Sequence, residues 1–92
     1  MAQARLFHDM HATRMNYGVK GNDLLTSFSK PKPAVAFDSL PTNPNYSASF
    51  AVILSWVLVH GATMTVQVTG DADSDTGALL TSGLRFNKEG LP

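Results

Sequence analysis

The sequence predicts a mainly β protein: a small antiparallel β body of sandwich type behind a long extended N-terminal arm. Three observations predict it. Residues 46–70 are a run of twenty-five without Asp, Glu, Lys or Arg, in a chain of 92 residues. Inside that run, Ala62-Thr63-Met64-Thr65-Val66-Gln67-Val68-Thr69 alternates apolar and polar residues at every position, the mark of a half-buried strand. Ahead of it, Lys30-Pro31-Lys32-Pro33 and then Pro41 and Pro44 punctuate the chain. Prolines fix φ and remove hydrogen-bond donors, which favours an extended course over helix or central strand.

Residues 1–45 are therefore expected as the arm. Leu6, Phe7, Met10, Met15, Tyr17, Leu24, Leu25, Phe28, Val35, Phe37 and Leu40 supply apolar anchors along it, so it should order against a surface, that of a neighbouring subunit. A short helix near residues 4–15 fits the spacing of Leu6, Phe7 and Met10, with Gly18 and Gly21 ending the pattern. Charge is polarised. Residues 1–32 hold five basic against two acidic residues, a balance of +3, and residues 33–92 hold two basic against five acidic, a balance of −3. The basic residues are dispersed rather than clustered with aromatics, which does not favour nucleic acid as a partner.

Residues 46–92 are expected as the β body. The stretch 50–59 is apolar at both parities and rich in β-branched and aromatic residues, consistent with a central strand covered on both faces. With a bulged turn at Val59-His60-Gly61, it would form a hairpin with 62–69, pairing Leu58 with Ala62, Trp56 with Met64, Leu54 with Val66 and Val52 with Val68. A third short strand is expected over 78–86, bent at Gly83. A body of under fifty residues without cysteine is too small to be securely stable alone. It is expected to complete its core with another chain, through Phe50, Val52, Leu54, Trp56 and Leu58, with Phe7, Phe28 and Phe37 anchoring the arm.

Candidate chemistry is sparse. His8 and His11 stand three residues apart, a spacing for one helical turn, but no second ligand pair follows. Asp71, Asp73 and Asp75 begin like a calcium loop, yet Thr76 and Ser82 stand where the helix-hand loop takes Gly and Glu. A solvated acidic connection is the better account, and a calcium- or ligand-binding β module is a rival reading. Nothing arranges a nucleophile, a base and an orienting acid. A second rival is a single-span membrane protein using residues 46–68, although the dense apolar part is shorter than the ~20 residues a spanning helix needs.

The segment Tyr46-Ser47-Ala48-Ser49-Phe50 leads into an apolar stretch, and Gly61-Ala62-Thr63-Met64-Thr65-Val66-Gln67-Val68-Thr69-Gly70 runs into an Asp-rich turn. Over about residues 46–86 this resembles small accessory virion proteins of tailed bacteriophages, in which a strand of the type T-V-x-V runs into an acidic turn. The sequence departs from that pattern at Ala72, which splits the turn, and lacks an aromatic residue soon after it. The resemblance implies a non-enzymatic capsid cement or decoration protein. It would need no cofactor, act in the virion after assembly in the host cytoplasm, and bind the major capsid protein and other copies of itself as a dimer or trimer. No nucleic acid or membrane would be a partner. Arg5, Arg14, Lys30 and Lys32 would steer the arm to acidic neighbours.

Overall fold

The computed structural model describes residues 4–17 and 24–86. They form five strands and one helix: β1 (Arg5–Tyr17), β2 (Leu24–Lys30), β3 (Val35–Pro41), a 3-10 turn (Pro44–Tyr46), α1 (Ser47–His60), β4 (Met64–Ala72) and β5 (Leu79–Phe86). The protein is mainly β, as its alternation predicts, and its pairings are antiparallel except one. The strands close into a single barrel in the order β1-β2-β3-β5-β4 rather than packing as a sandwich. Closure rests on a parallel contact in which Ser39, Leu40 and Pro41 of β3 meet Leu79, Leu80 and Thr81 of β5. A closed barrel leaves no sheet edge to template pairing with another chain.

The N-terminal half is not an arm. Residues expected to lie on a neighbour supply β1, β2 and β3, three of the five barrel strands. The helix considered near residues 4–15 is the first part of β1. Its apolar residues do not alternate because the strand is irregular, with register shifts between Phe7 and Met10 and between Ala12 and Arg14. At the first shift Asp9 has φ 57, a left-handed conformation that Asp tolerates better than most residues. The irregularities let one long strand pair with β4 through Arg5, Leu6, Phe7 and Met10, then with β2 from His11 onward. The prolines of Lys30-Pro31-Lys32-Pro33 sit where β2 gives way to the turn before β3, a place that also needs no ladder donor. Gly18 and Gly21, expected to end the helical pattern, lie outside the described residues.

The expected hairpin is the second correction. Residues 50–59 are helical, within α1, and no strand pairs Leu54 with Val66 or Trp56 with Met64. Instead β4 is flanked by β1 and β5, with Met64 opposite Met10 and Phe86, and Val66 opposite Phe7 and Leu84. The strands expected over 62–69 and 78–86 are present as β4 and β5, and the latter's register shifts opposite Gln67 and Val68, beside Gly83. Gly61 does adopt positive φ, 67°, but as the cap of α1: its N–H donates to the Val57 carbonyl at 2.8 Å. A left-handed glycine after the last turn satisfies an otherwise orphaned carbonyl.

The core lies inside the barrel and under the helix. Met10, Leu24, Phe28, Met64, Val66 and Val68 come from the strands, and Ala51, Leu54 and Val57 from α1. A body of five strands and a helix closes this core from its own residues, so the premise of a fragment under fifty residues does not hold. Two barrel-wall hydroxyls, of Thr26 and Thr81, are buried with no partner among the described residues.

Candidate functional site

A helix between two barrel strands must bury one face and meet solvent with the other, and normally the second face is polar. α1 has no such polarity. Its sequence, SASFAVILSWVLVH, carries no acidic residue, no Lys and no Arg, and its last turn ends in His60. Ser47, Ala51, Leu54 and Val57 face inward. Ala48, Ser49, Val52, Ser55, Val59 and His60 are exposed, Val52 by 72 % and Val59 by 80 %; Ala48, Val52, Ser55 and Val59 line up as one outer stripe. Phe50, Ile53 and Trp56 form the flanks, half-buried and packed against the core, and Leu58 is half-buried. Two ring contacts stiffen the ends: Tyr46 stacks near Phe50 at 6.1 Å between centroids, and Trp56 lies 4.3 Å from His60. Val52 and Val59 are the two most exposed of the five large apolar side chains that the described residues expose, and Tyr46, 49 % exposed, stands beside Phe50 at the helix entry.

The expected interface residues divide on this geometry. Val52 is open to a partner, while Phe50, Trp56 and Leu58 offer only edges. Leu54, at 1 % exposure, and Phe28, at 2 %, belong to the protein's own core and cannot touch a neighbour. Phe7 and Phe37 also pack within the barrel, their rings 4.7 Å apart, and Phe37 continues to Phe28 at 5.4 Å. Sequence reasoning omitted Tyr46, Ala48, Ser55 and Val59. For the last three the signal was available as spacing: with Val52, positions 48, 52, 55 and 59 follow intervals of four, three and four, which line one side of a helix and no side of a strand.

The basic residues do not converge. Arg5 lies over the Phe7 ring, 5.0 Å from its centroid, a cation–π contact. Arg14 donates to the Ser27 hydroxyl at 3.3 Å, and that hydroxyl donates in turn to Asp38, tying β1, β2 and β3 together on the barrel exterior. Lys30 and Lys32 share a shallow depression with Asp9, His11, Pro31, Gly61 and Thr63. His8 is not on a helical turn with His11: both are on β1, and His8 Nδ1 lies 3.2 Å from Thr65 Oγ1 on β4.

The acidic loop is organised around Asp73. Its Oδ2 accepts the backbone N–H of Asp75 at 3.1 Å, that of Thr76 at 2.9 Å, and the Thr76 hydroxyl at 3.1 Å. Such side chain to backbone bonds are how Asp shapes a turn. Among the described residues, Asp71, Asp73 and Asp75 do not form a group that could hold a metal ion, nor do any three His, Cys, Asp or Glu. The 46–68 segment is split between α1 and β4, and no described helix is long and apolar enough to cross a membrane.

Compared with known protein families and with curated proteins, the chain matches none.

Proposed function

We propose that the protein is a non-enzymatic structural module of a multi-subunit shell, docking on neighbouring protein subunits through the outer face of α1. The single observation that carries this reading is the charge-free stripe with Val52 and Val59 largely exposed. A closed barrel has no need to leave a helix uncharged on its solvent side with two large valines open, and exposed apolar groups ringed by polar residues are the usual mark of a protein contact. The shell setting, with the major capsid protein and other copies as partners, is what the resemblance to accessory virion proteins supports. The clasp of an extended arm is replaced in this reading by the helix, because the arm's residues are committed to the barrel.

The test uses shells assembled from the major capsid protein encoded in the same genome. The wild-type protein is expected to co-sediment with them and raise their dissociation temperature, and a Val52→Lys, Val59→Lys double variant to lose both effects. Wild-type protein that leaves the shells unbound overturns the reading.

A second reading has one observation in its favour. A five-stranded Greek-key barrel is the architecture of oligonucleotide- and oligosaccharide-binding folds, which use the face of the second and third strands. Here that face presents Ser27, Ser29, Ala36 and Asp38, with the neighbouring Arg14 already bonded to Ser27. Among the described residues that face shows no exposed aromatic platform of the kind that holds single strands, and the chain has no net charge. Fluorescence anisotropy of a labelled single-stranded oligonucleotide at low salt decides the matter: salt-sensitive binding would favour this reading over docking.

A further inference from the structure

We infer that the outer face of α1 pairs with α1 of a second copy of this chain, the two helices running antiparallel. The inference rests on the reading of that face as a docking surface and names its occupant.

Of the six exposed residues of α1, Ala48, Val52, Ser55 and Val59 repeat at the four–three–four intervals of a coiled-coil seam, with Ser49 and His60 along one side of it. They alternate small and large: Ala, Val, Ser, Val. In a parallel pair in register, Val would meet Val and Ala would meet Ala, leaving bulges beside gaps. Reversing one helix brings Val59 of each copy against Ala48 of the other, and Val52 against Ser55. Every exposed valine then sits opposite a small residue, the knob-into-hole fit that close helix packing requires. A two-fold contact uses the same patch twice, so the patch must complement itself. A charged face would repel its own copy, whereas this one carries no Asp, Glu, Lys or Arg.

Area sets the strength. From residue 48 to residue 59 the seam runs only about 16 Å at 1.5 Å per residue, so one helix pair falls short of the ~800 Å² per partner of a standard interface. The pairing is accordingly weak and concentration-dependent in free protein, and gains strength where copies are held close together.

The chain contains no cysteine, so single substitutions report proximity cleanly. A mixture of Val52→Cys and Ser55→Cys proteins, one carrying a mass tag, is expected to oxidise preferentially to the mixed dimer. Val59→Cys alone should give little homodimer. In sedimentation equilibrium the wild type should rise from 9.9 kDa towards twice that mass with concentration. Val52→Lys should stay monomeric with an unchanged unfolding midpoint, and Val59→Ser, a milder change, should weaken association. Dominant Val59→Cys homodimers would mean parallel packing and overturn the inference, as would wild-type protein that stays monomeric at every concentration. If that monomer still binds shells in a manner abolished by Val52→Lys, the docking surface stands and only its occupant is wrong. If it does neither, both readings fall.

Discussion

Ser47–His60 and Met64–Ala72 begin within the same uncharged run, are separated by three residues, and fold into opposite kinds of structure. The second alternates, and alternation is a statement about geometry: only a strand puts Met64, Val66 and Val68 on one side, and all three are fully buried. The first is apolar nearly throughout, and uniform hydrophobicity says nothing about geometry. Its fourteen residues became a helix because of its ends and its surroundings. Pro44 opens the 3-10 turn that leads in and Gly61 closes the last turn, while the barrel leaves no edge for another strand. The lesson is that pattern carries conformation where burial is one-sided, and termini carry it where hydrophobicity is uniform.

The sharpest way to break this comparison lies in two neighbouring positions of α1. Leu54→Ala is expected to cost ~2–5 kcal/mol, the range for a truncated core leucine. Val52→Ala, on the open side, should stay within ~0.5 kcal/mol. Were 50–59 a strand, positions 52 and 54 would share a face and the two costs would be alike; urea unfolding of both variants separates the cases. In β4 the counterpart is Val66→Thr, which buries a hydroxyl among apolar neighbours and should cost ~1–3 kcal/mol, against a near-neutral Gln67→Thr on the exposed side. Gly61→Ala probes the helix end. Space around the glycine is open, so the cost comes from positive φ alone, about 1 kcal/mol, read as a lowered urea midpoint. One effect has the opposite sign: Thr26→Val removes a buried hydroxyl without a partner among the described residues and should raise stability by about 1 kcal/mol.

Two of the five barrel strands were legible in the sequence, residue by residue. The parity of residues 62–69 located β4, and the short strand expected over 78–86 covers β5. Leu24, Thr26 and Phe28 alternate too, and all are buried, but a threonine on the inward side and a short, proline-bounded segment disguised β2 as part of an arm. β1 was hidden for a different reason: its register shifts break the parity on which strand recognition depends. Gly61 was read correctly as a positive-φ position and assigned to the wrong device, since a bulged hairpin and a helix cap ask the same of a glycine. For the candidate site, Val52 was identified from hydrophobicity, whereas Leu54 was misplaced beside it. Separating an outward valine from an inward leucine two positions away requires knowing that the chain turns by about 100° per residue there. The double ring pairing of Phe7, Phe37 and Phe28 depends on strands brought together only by the barrel, and no local pattern announces it.

The seam between β3 and β5 has a consequence for the order of events during synthesis. Strands β1 to β3 leave the ribosome first and can assemble as a meander of neighbours, but the barrel cannot close until the last strand arrives. β5 must pair with β4 and also with β3, 40 residues upstream, and β4 must reach back to β1, where Arg5 meets Val68 across 63 residues. Long loops closed late make for slow folding. Until residues 79–86 have been translated, the nascent chain carries an unpaired β3 flank beside an uncharged helix, the interval in which a growing polypeptide is most exposed to association with its siblings.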